Sequence, residues 1–201
     1  MKHYIEVTLI ETNDFPLYQL WSTVYMQLHI AFVEIKDQNG KISIGLSFPQ
    51  YYFNQEKNIS FMGSKLRLFA QTEKELKKLN LAKWLARLMD YVHITTIRNV
   101  PEHKVTGYAI YNRKQVKTNA ERLARHRAKR GDIAFDEALK RYQNVVTTTD
   151  LPYIKLESLS LSNHNNKHHF KLFITKNNTE CTNNQIFRTY GLSSVSSVPE
   201  F

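Results

Sequence analysis

Residues 120–130, AERLARHRAKR, carry five arginine or lysine side chains and one histidine. A chain with such a run must keep it out of its core, because burying unpaired charge costs far more than packing returns. The pattern still reads as a helix. Asn119 is an N-cap, with a side-chain oxygen that accepts one of the orphan N–H groups of the first turn. Glu121 sits in that turn, where a carboxylate suits the positive end of the helix dipole. Gly131 is a C-cap. Arg122, Arg125, His126 and Lys129 are spaced i, i+3, i+4, i+7 and share one face, which Arg127 and Arg130 widen. Only Leu123, Ala124 and Ala128 offer an apolar grip. A second cluster, Arg113, Lys114 and Lys117, feeds into the helix. After Glu121 no acid interrupts the cations, so the helix is built to meet a polyanion. The remainder of the chain must supply the core.

That remainder is sufficient. The chain has 201 residues, 42% of them hydrophobic, enough for one domain or two small ones sharing an interface. Lysine and arginine total 28 against 18 acids, a net charge of +10, which favours nucleic acid as partner. Cys181 is the one cysteine. No internal disulfide can form, and a reducing, cytoplasmic home fits. No apolar run approaches the roughly 20 residues that span a bilayer. MKHYIEVTL at the N-terminus alternates like a strand and lacks an apolar signal core.

The chain opens with a strand over Tyr4–Ile10, β-branched and alternating. Asp14-Phe15-Pro16 marks a helix start. The helix runs to about Ile35 with the stripe Leu17, Leu20, Trp21, Val24, Leu28, Ala31, Phe32 and Ile35. Asp37-Gln38-Asn39-Gly40 is a turn. A second strand is predicted over Ile42–Phe48 and a third over Lys65–Gln71, with 50–64 between them an aromatic, irregular insertion. Thr72–Met89 reads as helix broken near Asn80, and Val92–Asn99 as a fourth strand. This β-α-β-β-α-β order is that of the ferredoxin-like unit and of the RRM. Pro101–Thr118 reads as a linker or irregular hairpin, with Tyr108–Tyr111 as a candidate extended stretch. After the basic helix, Ala134–Gln143 forms an amphipathic helix on Phe135, Ala138, Leu139 and Tyr142. Tyr153–Ser158 and His169–Ile174 are strands around the polar turn SLSNHNNK, and Ile186–Leu192 an edge strand.

Few residues carry obvious chemistry. His29 lies beside Leu28 at the edge of the first helix's stripe, where a side chain can face a cleft; an isolated histidine there is more often structural. Its ordinary pKa, about 6.5, suits proton transfer near neutrality. His164, His168 and His169 lie in or beside the Asn-rich turn, without nearby cysteine or carboxylate, and fit an exposed loop better than a metal site. The sequence has no CxxC, HExxH, Walker loop or GxGxxG. A nuclease on this chain is therefore expected to need no metal or cofactor. RNA permits that, because its own 2′-OH can be the nucleophile. Ser158 and Ser160 alternate along a strand, and Tyr190-Gly191-Leu192 forms a small turn.

Taken together these segments resemble one family, the Csy nucleases, the type I-F CRISPR endoribonucleases that process repeat RNA. HYIEVTLIE, DFP, QLWS and the LH of Leu28-His29 are similar to the family's first strand and catalytic helix. GLSFP and KLRLFA are similar to its sheet. NRKQVKTNAERL resembles its base-reading linker and the start of its arginine-rich helix. LPYIKLESLS, HHFKLFI and TYGLS resemble its closing strands. The resemblance implies His29 as acceptor of the 2′-OH proton, Ser158 holding that hydroxyl or the ribose, and Tyr190 orienting His29. It also implies that Arg113 and Gln115 read base edges in the lower stem, as their geometry suits guanine and adenine, and that Phe170 stacks near the cut. Lys117, Asn119, Ser160 and the basic helix would complete the RNA surface. Where the family's helix has arginines on stem phosphates and loop, this chain has His126, Lys129 and Arg130.

The expectation is an α+β protein. Residues 1–100 would form a ferredoxin-like, RRM-like domain carrying the catalytic histidine. Residues 101–201 would form an RNA-recognition region of linker, arginine-rich helix and small antiparallel sheet. The implied activity is metal-independent cleavage of pre-crRNA at the 3′ base of the repeat hairpin. The product would stay bound and join the other subunits of a type I-F surveillance complex. The alternative is a catalytically inactive subunit that only holds the hairpin. A general RRM-like binder is disfavoured, because Val7, Ile44 and Leu68 on the predicted strands are poor stacking platforms. A membrane partner is disfavoured too, since the basic helix lacks a large apolar face.

Overall fold

The computed structural model describes residues 1–116, 120–143, 149–158 and 168–201. Met1–Arg113 and Leu151–Phe201 form one compact unit, and Lys114–Asp150 a second. The protein is a mixed α+β structure.

The first strand is β1 (His3–Leu9). The helix α1 (Leu17–Ile35) follows, with Pro16 at the N-cap position. Proline offers no capping oxygen, and Glu11 substitutes, its Oε1 accepting the Leu17 N–H at 3.0 Å. Leu20, Trp21, Val24, Tyr25, Leu28, Ala31 and Phe32 are buried, which adds Tyr25 to the predicted stripe, while its end members Leu17 and Ile35 are half-buried. Asp37 makes the expected turn, its Oδ1 accepting from Asn39 and Lys41 N–H at 2.9 and 2.7 Å.

The single strand predicted over Ile42–Phe48 is two, β2 (Lys41–Ile42) and β3 (Gly45–Ser47). Gly45 makes the change of sheet possible: a Cβ there would lie 2.5 Å from the Cζ of Phe187, so only glycine admits that ring. The predicted irregular insertion is in fact a hairpin, β4 (Tyr52–Asn54) and β5 (Ile59–Phe61). Its turn contains Asn58 at φ 51° and no glycine. The rings of Tyr52 and Phe61 stack across it, 5.6 Å apart. Then come β6 (Lys65–Ala70), α2 (Glu73–Leu79) and α3 (Leu81–Trp84). The break between the helices falls at Asn80, as predicted, in the left-handed conformation at φ 48°. The predicted fourth strand is split into β7 (Val92–Ile94) and β8 (Arg98–Asn99).

The predicted linker contains a full strand, β9 (Gly107–Lys114), with Ala109 and Tyr111 buried. In the second unit α4 (Ala120–Ala128) and α5 (Phe135–Gln143) pack on each other. Ala124 and Ala138 are fully buried, and their small side chains let the backbones approach. The chain continues through β10 (Tyr153–Glu157), β11 (His169–Thr179), β12 (Phe187–Arg188) and β13 (Val198–Glu200). The last of these was not anticipated, and Pro199 within it suits its place at a sheet edge.

One sheet has the order β3-β6-β1-β7, with β8 also pairing β1, and its paired strands are antiparallel. The other has the order β10-β11-β9-β13. The helix α1 packs against β10 as well as β1. One apolar cluster runs from β1 and β6 through α1 to Ile154, Leu156, Leu172 and Ile174 of the second sheet. Among the described residues no helix is long and apolar enough to cross a membrane.

Candidate active site

His29 is on α1, four residues after Tyr25, so both side chains leave the same face of the helix. Its imidazole Nδ1 lies 2.8 Å from the carbonyl oxygen of Thr189. A carbonyl can only accept, so Nδ1 carries the proton and Nε2 is the lone-pair nitrogen of the neutral ring. The ring of Tyr190 lies flat on the imidazole, centroids 4.1 Å apart and planes 6° from parallel. The Arg113 guanidinium sits 5.5 Å from the centre of the Tyr190 ring and 5.4 Å from that of Phe170. Arg113 comes from β9 and Phe170 from its sheet neighbour β11. The site is thus a layered column of Phe170, Arg113, Tyr190 and His29.

Burial pushes the His29 pKa below the ordinary value of 6.5. The Thr189 hydrogen bond opposes that shift and the Arg113 charge adds to it. The imidazole is therefore neutral, and a competent base, at neutral pH. Burial raises the Tyr190 phenol, with Arg113 pulling the other way, so that ring stays neutral.

The turn beneath the column is fixed by its backbone. Arg188 N–H donates to Leu192 O at 2.9 Å, Gly191 N–H to Arg188 O at 2.7 Å, and Leu46 N–H of β3 to Gly191 O at 2.9 Å. Tyr25, fully buried, donates its hydroxyl to Tyr190 O at 2.7 Å. The segment that follows is clasped by serines. Ser193 Oγ donates to Ile186 O at 2.8 Å and accepts from Ser196 N–H at 3.0 Å. Ser196 Oγ donates to the same carbonyl at 2.9 Å.

Of the residues singled out in the sequence, His29, Tyr190, Arg113 and Phe170 are brought together. Ser158 directly follows β10, the strand packed on α1, and its N–H donates to His168 O at 2.7 Å. Gln115 is exposed and belongs to the second unit, as do the cations of α4. On α4, Arg122, Arg125, His126, Lys129 and Arg130 are exposed. Arg125 reaches Glu121 at 3.4 Å, while Arg127 is turned into an ion pair with Asp132. Lys117, Asn119, Ser160 and the turn containing His164 lie outside the described residues. Gly191 makes the turn read from the sequence, at φ 68°, whereas Tyr25 and the Thr189 carbonyl were not anticipated. Only the four-residue spacing of Tyr25 from His29 could have signalled the first.

A neutral imidazole with a fixed tautomer, under an aromatic ring and near a guanidinium, is equipped to take a proton beside an anionic group. The sequence matches the family model described as CRISPR-associated protein (Cas_Csy4) over residues 4–201, and the chain belongs to that family. It is 34% identical over 203 residues to the "CRISPR-associated endonuclease Cas6/Csy4" of Pseudomonas aeruginosa (strain UCBPP-PA14), covering 100% of both chains. It is 30% identical over 205 residues to the protein of the same description from Escherichia coli (strain UTI89 / UPEC), again over 100% of both. A solved structure described as "An RAMP protein binding different RNA substrates" matches over 98% of this chain and 99% of that one. Its identity is 12% and its TM-score 0.34, too weak a likeness to carry an argument.

Proposed function

We propose that this protein is a metal-independent endoribonuclease that binds the CRISPR repeat hairpin and cuts pre-crRNA at the hairpin's 3′ base. The observation that carries the reading is the 2.8 Å contact of His29 Nδ1 with the Thr189 carbonyl, which requires Nδ1–H and leaves Nε2 basic. Nε2 takes the proton of the 2′-OH as that oxygen attacks the adjacent phosphorus. The bond to the 5′-oxygen breaks, and that oxygen gains a proton from water. The products are a 2′,3′-cyclic phosphate, or the 3′-phosphate from its hydrolysis, and a 5′-hydroxyl. Ser158 holds the attacking hydroxyl or the ribose, and Tyr190 keeps the imidazole in plane.

Arg113 and Gln115 read base edges of the lower stem, Phe170 stacks near the cut, and the exposed cations of α4 grip phosphates. Lys117, Asn119 and Ser160 belong to the same surface. The division of labour follows the sequence, with the catalytic histidine on residues 1–100 and the RNA-recognition region, including Ser158 and Tyr190 on its closing segments, on 101–201. The order β3-β6-β1-β7, with a helix after β1 and after β6, supports a ferredoxin-like arrangement of the first part. Product retention, partnership with type I-F complex subunits and a cytoplasmic setting complete the reading.

The test is single-turnover incubation in EDTA with a labelled repeat hairpin, carrying either a normal 2′-OH or a 2′-deoxy at the nucleotide before the cut. The expected result is cleavage of the first and intact binding of the second. Tight binding of both without cleavage would instead make the protein a hairpin-holding subunit, and sensitivity to EDTA would sink the metal-free mechanism.

The role given to α4 has its own test. Replacing Arg125 and Lys129 together by alanine should weaken binding to unrelated hairpins equally. It should also lower the slope of log affinity against log salt by about 1.5–2. Arg125's exposed pair with Glu121 does not oppose this, since such pairs are worth about 0–1 kcal/mol. A loss confined to one hairpin sequence would contradict a phosphate role.

A further inference from the structure

Tyr25 is buried completely, yet its hydroxyl is not idle. It donates at 2.7 Å to the carbonyl of Tyr190, while His29, one helical turn later, donates at 2.8 Å to the carbonyl of Thr189. Two side chains on one face of α1 therefore hold two consecutive carbonyls of one turn. The turn itself has little slack, being tied to β3 through Leu46 and closed by the Arg188–Leu192 bond. The Tyr25 ring is also fixed, stacked 6.3 Å from Phe48 with planes 19° apart. Moving the Tyr190 carbonyl would rotate the peptide next to the Thr189 carbonyl. It would also shift the ring that lies on His29.

We propose that Tyr25 is a positioning residue for the reaction, and that its hydroxyl sets the tautomer and ring plane of His29 by fixing the Thr189–Tyr190 backbone. The inference rests on the reading of His29 as the proton acceptor. The logic is that of an outer residue orienting a working imidazole through the bond made by its other nitrogen. Without the Tyr25 hydroxyl the Tyr190 carbonyl loses a buried donor. The Thr189 carbonyl then no longer holds one position, and both neutral tautomers of His29 become populated. Only the Nδ1–H form presents Nε2 as a base.

The test is Tyr25→Phe, which keeps the ring and its packing on Phe48. Two measurements are made. Long-range ¹⁵N–¹H correlation on the ¹⁵N-histidine-labelled free protein reads the tautomer and titration of His29 without any RNA. Single-turnover cleavage and hairpin binding are measured beside it. Wild type should show the Nδ1–H tautomer. The variant should show a tautomer mixture, a displaced titration midpoint and a cleavage rate down about tenfold or more, with hairpin affinity within about twofold. Phe48→Leu is the control for packing, and should lose thermal stability while keeping the wild-type tautomer.

A Tyr25→Phe protein with the wild-type tautomer and midpoint would overturn the proposal, whatever its stability. So would an Nε2–H tautomer in the wild type, or the same mixture in Phe48→Leu. Because the tautomer is read on the free protein, a wild type that binds but does not cut would defeat the nuclease reading and the catalytic consequence drawn from it, while the hold of Tyr25 on the His29 tautomer would be decided separately.

Discussion

His29→Ala should abolish cleavage while leaving the hairpin bound. General base catalysis is worth roughly 10²–10⁴-fold, or about 3–5 kcal/mol of transition-state stabilisation. The loss should sit at or beyond that range, because the substitution also removes the donor to Thr189 and the partner of the Tyr190 ring. Hairpin affinity should change by no more than about threefold, since the candidate RNA cations lie on other elements. A large loss of affinity with cleavage still measurable would mean that His29 is a binding residue. The pH profile sharpens the test. The base works when unprotonated, and burial with the Arg113 charge holds its pKa below 6.5. The acid limb of the single-turnover rate should therefore have its midpoint below 6.5. Arg113→Ala removes one of the two depressing causes, so the midpoint should move up toward the ordinary value. An unmoved midpoint would show that the Arg113 charge does not act on the titrating group.

The sequence located the column's members but not the column. His29, Tyr190, Arg113 and Phe170 were each legible, the first from its place at the edge of a helical stripe and the others through family resemblance. Their stacking depends on the packing of α1 against β10 and on the register of β9 and β11, which no local pattern encodes. Strong periodicity was reliable: α1, β1, β6 and the broken helix at Asn80 lie where the residues put them. Short elements were not. The strand predicted over Ile42–Phe48 breaks because Gly45 admits Phe187, a contact between residues 142 positions apart. The β4–β5 hairpin was missed because its turn, NQEKN, lacks the glycine that usually marks one. The β9 strand was legible only over Tyr108–Tyr111, because Asn112-Arg113-Lys114 reads as polar linker. Arg113 is useful because it is not a linker residue: a strand delivers its guanidinium to the Tyr190 ring.

Gly191→Ala should be among the most damaging small changes to the chain. Gly191 has φ +68°, where a side chain is strained by about 1 kcal/mol. The added Cβ would also lie 2.3 Å from Leu46 Cγ, 2.6 Å from its Cδ1 and 3.2 Å from Phe32 Cε2. Leu46 cannot retreat easily. It is fully buried, and its own N–H is bonded to the Gly191 carbonyl. Strain and overpacking together should cost about 2–4 kcal/mol. For a chain of this size that lowers Tm by roughly 5–15 °C. What still folds at low temperature should cut slowly, because relieving the clash displaces Tyr190 and the Thr189 carbonyl from His29. Gly107→Ala is the matched control, since a Cβ there meets nothing within 4 Å. It should change stability by no more than about 0.5 kcal/mol. Thermal denaturation of the two variants, with single-turnover cleavage measured below both transitions, checks the argument. Equal Tm values would mean that the turn has slack. A destabilised Gly191→Ala with wild-type cleavage would mean that the turn holds the fold together without setting the imidazole.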